Sequence, residues 1–299
     1  MTTVAEKKVF LDYTQEELDR AYDQAAWAPN MADVRARNVQ RCVEIRQGMK
    51  TFERSYGSTA DETLEIVPTA AVRPGAAGAP VVLFVHGGRW LPQPENAFIY
   101  FADTIAKAGA HFAAARFVTL TPRPGPVRMP DMVAQLRRAV VWLHAHAAEF
   151  GGDPNRIHLI GHSSGGHLAS VLLTTDWRRH GGPEKVFKSG TCVSGMYDLR
   201  PVLLSARGNY VKLSSAEEDE FSAMRHVDRV HCPVLVAYGD KESPEFQRHG
   251  RTFAPALRQA GHDAELFVIP GCNHFEGIAT MSDPASPLAK RVLRHIGLG

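Results

Sequence analysis

No apolar run in this 299-residue chain approaches the roughly 20 residues that a membrane span requires. A role that depends on crossing a bilayer as a helix is therefore not expected. Charge of one sign is also scarce: 34 Lys and Arg against 32 Asp and Glu leave a net +2, scattered along the chain. Without a basic stripe or patch, neither nucleic acid nor an anionic membrane surface is an expected partner. The four cysteines, Cys42, Cys192, Cys232 and Cys272, lie far apart and form no C-x-x-C pair. Cys192 and Cys232 fall in expected strands and Cys42 in an expected helix, as suits reduced thiols in a cytoplasmic protein. Cys272 differs in lying in a loop two residues from His274. The 14 histidines include no H-E-x-x-H, and His144 and His146, two apart, cannot share a helix face. No metal or other cofactor is expected. The opening Met1–Lys8 leads into no apolar run, so no signal peptide is expected.

What is present is an ordinary globular composition, 44% apolar and 22% charged, long enough for one large α/β domain with an appendage. Residues 1–60 read as a helical arm or cap and 61–299 as a catalytic core. Thr14-Gln15-Glu16-Glu17 is a capping box, followed by an apolar stripe of Leu18, Ala21, Tyr22 and Ala25. Pro29 interrupts, and a second amphipathic stretch runs through Val34, Val39, Cys42, Val43, Ile45 and Met49. The pattern then changes to strands at 63–67 and 81–85, separated by a Gly- and Pro-containing loop at 73–80. The second of these runs is apolar throughout, as a strand covered on both faces requires. A helix is expected over 98–108, a strand over 111–118, a Pro-rich turn at 121–126, and a helix from Pro130 that stops at Gly151-Gly152. Strands follow at 157–160, 186–194, 233–238 and 264–269, with helices after Ser163, from Ser243 to near Gly261, and over 286–295. Strands alternating with helices imply an α/β fold, a mostly parallel sheet with helices on both faces. In such sheets the chemistry gathers at the carboxyl ends of the strands.

Four stretches fall at such ends. Gly161-His162-Ser163-Ser164-Gly165 joins a strand to a helix and is a Gly-x-Ser-x-Gly elbow, with Ser163 the candidate nucleophile in strained backbone geometry. His86-Gly87-Gly88 follows an early strand, where backbone amides can meet an oxyanion; the expected donors are Gly87 or Gly88 together with Ser164. Tyr238-Gly239-Asp240-Lys241-Glu242 offers an acid to orient a histidine. Glu242 is preferred, since one residue after the glycine leaves Asp240 little chain in which to turn; Asp240 is the runner-up and Asp198 a weaker rival. Glu245 reads as a helix-capping or solvated charge. His274, in a Gly-containing loop after the last strand, is the candidate base, while His162 and His167 read as packing groups. The order Ser163, Glu242, His274 is that of the Ser-acid-His arrangement in nucleophile-elbow hydrolases.

These residues resemble the α/β-hydrolase superfamily, and more closely its kynurenine formamidase (arylformamidase) branch. The likeness rests on H-G-G-x-W at His86–Trp90, G-H-S-x-G-x-H at Gly161–His167 and S-G-x-Y-D-L at Ser194–Leu199. It continues through S-P-E-F at Ser243–Phe246 and N-H-F at Asn273–Phe275, with further similarity around Tyr13–Leu18 and at Tyr56-Gly57. It implies an α/β-hydrolase fold, a triad acid directly before S-P-E-F, which is Glu242, and a formyl group on an aryl amine as the cleaved unit. The chain departs from the family in Glu242, commonly Asp, and in Arg89, usually Tyr.

The expected reaction is hydrolysis of a small-molecule amide or ester through an acyl-enzyme on Ser163. A small-acyl or aryl carboxylesterase, or another amidase, would use the same residues. From a different class comes a non-catalytic binding protein on a hydrolase scaffold. Arg89, a planar cation beside the oxyanion turn, is expected to hold a substrate carboxylate, and Trp90, Met196, Tyr197 and Phe275 to line an aromatic pocket. Self-association into a homo-oligomer is neither required nor opposed by the sequence. A fluorophosphonate probe separates enzyme from binding protein. The expected result is one adduct on Ser163 by peptide mass spectrometry, absent from Ser163→Ala; folded protein without an adduct would end the enzyme reading.

Overall fold

The computed structural model describes residues 7–70, 78–94, 97–121 and 127–299. The expected loop at 73–80 and the Pro-rich turn at 121–126 lie mostly outside the described residues, as does the start of the chain. Eight strands form a single sheet in the order β1-β2-β4-β3-β5-β6-β7-β8. They are β1 (Phe52–Ser55), β2 (Thr63–Val67), β3 (Ala79–Val85), β4 (His111–Ala115), β5 (Gly152–His162), β6 (Phe187–Val193), β7 (Val234–Gly239) and β8 (Ala264–Ile269). From β4 to β8 every pairing is parallel, whereas β1 and β2 add antiparallel at one edge. The helices are α1 (Gln15–Tyr22), α2 (Met31–Gly48), α3 (Ala102–Ala108), α4 (Met129–His146) and α5 (Ser164–Leu173). After these come α6 (Arg200–Leu204), α7 (Ser215–Phe221), α8 (Pro244–Gln259), α9 (His274–Ala279) and α10 (Pro287–His295).

The period-two alternation of β3 divides the core. Val81, Leu83 and Val85 face a cluster with Leu136 of α4, Leu168 of α5 and Phe253 of α8. Val82 and Phe84 face the other, with Ile45 of α2, Ile105 of α3 and Val292 of α10. Both faces are dry, which is why β3 is apolar at every position. This is the mostly parallel, doubly covered sheet expected from the alternation of elements, and the α/β-hydrolase fold that the resemblance implied.

Several expectations needed correction. Strand β1 lies within the segment read as helical; its Phe-Glu-Arg-Ser sequence is largely solvent-facing and carries no apolar run. The helix expected over 98–108 is regular only from Ala102, and the strand over 111–118 ends at Ala115. Cys232 precedes β7 rather than lying in a strand, and Ala25 is exposed on a 3-10 turn instead of extending the α1 stripe.

The arm itself is built as the capping box predicts. Thr14 Oγ1 accepts from Glu17 N and the Glu17 carboxylate accepts from Thr14 N. Its stripe of Leu18, Ala21 and Tyr22 packs down against the start of α8. There His249 Nε2–H donates to the Tyr22 hydroxyl (2.8 Å), which donates in turn to Glu245 Oε2 (3.2 Å). Glu245 is therefore no capping or solvated charge. It is fully buried and holds Arg248 through two hydrogen bonds of 2.7 and 2.8 Å. Farther along, Arg41 pairs with Asp103 and Arg46 with Glu65, fastening α2 to α3 and the sheet.

Histidines are buried through the centre of the sheet and at its carboxyl edge. Burial pushes His158 and His162 down to about 3 and His86 and His167 down to about 4, from an ordinary value of 6.5. His249 is lowered for the same reason. Below pH 6.5 the unfolded chain takes up protons that these folded rings refuse. Their stabilising contribution is whole above pH 6.5 and is lost progressively as the pH falls toward 4, at up to about 1.4 kcal/mol per pH unit for each ring. Calorimetry should accordingly show Tm falling by several degrees between pH 7.5 and 5.5. A Tm constant across that range would contradict the burial of these rings as neutral groups.

Candidate active site

Strand β5 ends at His162 and α5 begins at Ser164, so the whole reversal is made at Ser163, with φ 57° and ψ −124°. A side chain costs strain there, of order 1–3 kcal/mol, and the fold must hold it. The flanking glycines permit the approach. A Cβ on Gly165 would strike the Val85 and His86 carbonyls, and one on Gly161 the Gly165 carbonyl and the Ala169 methyl. Helix α5 thereby reaches the ends of β3 and β5, with Ser163 N bonded to Val193 O at 2.9 Å.

The structure places His274 as the first residue of α9, not in a loop as expected. Asn273 caps that helix by accepting from Phe275 N and Glu276 N, and this cap orients the imidazole. His274 Nε2 lies 2.8 Å from Ser163 Oγ and Nδ1 lies 2.7 Å from Glu242 Oε2. An ionised carboxylate can only accept, so Nδ1 carries the proton and Nε2 is the acceptor for the serine hydroxyl. All three side chains are buried. The second Glu242 oxygen accepts from Ser194 Oγ (2.6 Å) and Gly239 N (2.7 Å). Ser194, itself at φ 53°, went unassigned in the sequence, although it opens the S-G-x-Y-D-L motif. Asp240 is exposed on the turn, and Asp198 is engaged by Arg225 and Arg200 N, so neither joins the line. Beneath His274, His162 donates Nε2–H to its carbonyl at 2.9 Å. The Cys272 thiol is raised by burial and the neighbouring Glu276, which opposes a thiolate there.

The turn after β3 is strained over three residues, Gly88 (φ 128°), Arg89 (φ 61°) and Trp90 (φ 61°). It is pinned from α5. Trp90 N donates to Ser164 Oγ (3.1 Å) and Trp90 Nε1 to His167 Nδ1 (3.2 Å), while His167 Nε2–H donates to Phe221 O (2.9 Å). Gly87 lies against the elbow: a Cβ there would come within 2.7 Å of His162 O and 2.8 Å of Ser163 Cβ. Ser164, heading α5, has a backbone N–H with no intrahelical partner. The arrangement leaves backbone donors on both sides of Ser163 Oγ.

Ser163, His274, Gly87, Gly88 and Arg89 open onto a cavity of about 340 Å³. Phe98 and Tyr100 supply aromatic wall, and the arm supplies another through Gln24, Met31, Arg35 and Val39. Of the five residues expected to line a pocket, Arg89 and Phe275 do so. Trp90, Met196 and Tyr197 are instead core. Trp90 is held edge-on to His167; Tyr197 stacks on Phe253 at 4.1 Å and turns its hydroxyl to Cys192 O; Met196 Sδ accepts from Arg207. No group of three or more His, Cys, Asp or Glu positioned to hold a metal occurs among the described residues. Nor is any helix there long and apolar enough to cross a membrane.

Comparison with known proteins bears on the family and the fold. The model of the prolyl oligopeptidase family matches residues 134–292, and a model described as BD-FAE matches 71–190. Kynurenine formamidase of Danio rerio is 28% identical over 300 residues, covering 95% of this chain and 97% of the relative. Carboxylesterase NlhH of Mycobacterium tuberculosis is 32% identical over 275 residues, covering 84% and 82%. A solved structure from Silicibacter sp. tm1040 is 26% identical, covers 92% of this chain and 98% of its own, and superposes with a TM-score of 0.75.

Because Glu242 fixes the His274 tautomer, Glu242→Gln should keep the fold and lower kcat by roughly three to four orders of magnitude. Ser194→Ala, which removes one donor to that carboxylate, should cost about ten- to a hundredfold. Unchanged Tm with those losses is the expected pattern; full activity in Glu242→Gln would remove the acid from the site.

Proposed function

Since the chain belongs to the prolyl oligopeptidase family of α/β-hydrolases and is a kynurenine formamidase-like amide or ester hydrolase, we propose that it deformylates aryl formamides of the N-formylkynurenine type. The observation that carries this reading is the unbroken hydrogen-bonded line from Glu242 through His274 to Ser163, opening into an aromatic-walled cavity.

The formyl carbonyl carbon is attacked by Ser163 Oγ as His274 Nε2 takes the hydroxyl proton. Glu242 stabilises the imidazolium that results, and remains ionised itself. The developing oxyanion is met by the amides of Gly87 or Gly88 and of Ser164. His274 then returns the proton to the aryl amine nitrogen as the C–N bond breaks, leaving a formyl ester on Ser163. Water, deprotonated by the same His274, attacks that ester and releases formate and the free enzyme. His162 and His86 lie beside the reaction, but burial favours their neutral form and no carboxylate among the described residues faces either ring, so they do not compete for the proton.

The full-length likeness to the Danio rerio kynurenine formamidase supports an amide as the bond cleaved. A second reading, a small-acyl carboxylesterase, is supported by the 32% identity to carboxylesterase NlhH. A purely binding role would leave the strain at Ser163 and the burial of Glu242 without a use.

A substrate panel decides between the two enzymatic readings. With N-formylkynurenine, other N-acyl arylamines and short p-nitrophenyl esters compared by kcat/KM, the formyl arylamine should lead by at least about tenfold. Esters leading by that margin would reassign the enzyme as a carboxylesterase.

A further inference from the structure

Arg207 is 4% exposed, lines the cavity that holds Ser163, and makes no ion pair with any described residue. A guanidinium taken out of water without a carboxylate is costly and uncommon. Two of its five N–H donors are used, one on Tyr22 O (2.7 Å) and one on Met196 Sδ (3.4 Å). The rings of Tyr22, Trp90 and Phe246 surround it, with its Cζ 5.5 to 5.9 Å from their centroids. These contacts fix the plane of the guanidinium and leave its charge uncompensated. Burial disfavours the charge most, and the field from other groups is mixed, since Tyr210, Tyr22 and Asp23 favour it and Arg89 opposes it. The same cavity is lined by Arg35 and Arg89, also without ion pairs among the described residues, and of the described acids by Asp23 alone.

We infer that Arg207 is a preformed receptor for an anionic group on the substrate's leaving portion, a carboxylate in the simplest case, with Arg35 and Arg89 supplying supporting positive potential at the rim. The inference rests on the hydrolase reading of Ser163 but not on the choice of formamide over ester. A planar guanidinium whose orientation is set by aromatic contacts needs no reorganisation to take a carboxylate side-on. The charge that folding leaves unpaired is then matched when substrate enters, so binding selects acyl compounds that carry a negative charge. Arg89, exposed at the mouth, is the less discriminating partner.

Two matched pairs test this separately from the formamidase reading: 2-formamidobenzoate against its methyl ester, and 3-acetoxybenzoate against its methyl ester, each followed by release of the aniline or phenol. The wild-type enzyme should favour the carboxylate of each pair in kcat/KM by roughly ten- to a hundredfold. Arg207→Met should bring that ratio toward one, and Arg207→Lys should retain part of it. A purely structural arginine would on replacement lower both members of a pair together and leave the ratio intact, which would overturn the inference. A wild-type ratio within about twofold of one would overturn it as well. If Arg207→Met does not fold, the wild-type protein decides: benzoate should inhibit p-nitrophenyl acetate hydrolysis competitively and far better than benzamide, and equal inhibition refutes the receptor. Acetates outrunning formamides while the charge preference persists would sink the formamidase assignment and leave the anion receptor standing.

Discussion

The close approach of α5 to the ends of β3 and β5 is the constraint on which the rest of this site depends. It is possible only because Gly161 and Gly165 present backbone where any side chain would collide. With the helix drawn in, one residue must make the whole turn, and Ser163 takes a left-handed backbone conformation as a result. The same approach brings Ser164 Oγ and His167 within reach of Trp90, which holds the Gly87–Arg89 turn in its own unfavourable geometry. Ser163 and the backbone amides proposed to meet the oxyanion are thus positioned by one packing contact. The strain at Ser163, Arg89 and Trp90 is sustained by the sheet and helix around them and not by local preference.

Around the serine stand several imidazoles, and their different surroundings give them different capacities. His86 is stacked on Phe98 with centroids 3.8 Å apart, His162 donates to a carbonyl, and His167 bridges a carbonyl and an indole. Each is satisfied as a neutral ring and would be a buried cation without a counter-ion if protonated. His274 alone among them faces a carboxylate, which makes protonation there tolerable at the moment the hydroxyl proton must go somewhere. Selection of the base is electrostatic, and distance from Ser163 is only part of it.

The central strands were legible because burial on both faces leaves runs such as Val81–Val85 and Val234–Tyr238 almost without polar positions. The catalytic candidates were legible because each must follow a strand end and needs a particular side chain. What escaped the sequence had no such signature. Strand β1 is an edge strand whose Glu53 and Arg54 leave it no apolar alternation, so it fell within the segment read as a helical arm. His274 in a helix rather than a loop follows from the Asn273 cap, a local signal that was present and went unused. Trp90, Met196 and Tyr197 looked like pocket and are core, because which way an aromatic residue after a strand turns depends on partners such as Phe253 and His167, remote in sequence. Glu245 and Arg207 look like surface charges; only the arm folding over them makes them interior.

The first turns of the arm are translated well before the surfaces they pack against. Hydrogen bonds from Gln15, Tyr22, Gln24 and Asn30 run to Leu204, Ser243, Glu245, His249, Asn273 and Glu276, between 189 and 246 residues later in the chain, whereas α2 also pairs with the nearer Asp103 and Glu65. During synthesis α1 leaves the ribosome with its apolar stripe uncovered, and the surface it needs does not exist until α8 has been translated. Contacts so distant along the chain make closure a late and slow event in folding. The link from Asn30 to the cap of the His274 helix and the burial of Arg207 beneath Tyr22 therefore arrive only with the segment from α8 to α9. Until then a nascent chain can hold its elbow and still lack a completed binding site, so the capacity to hydrolyse a bound substrate is withheld until α9 has been translated.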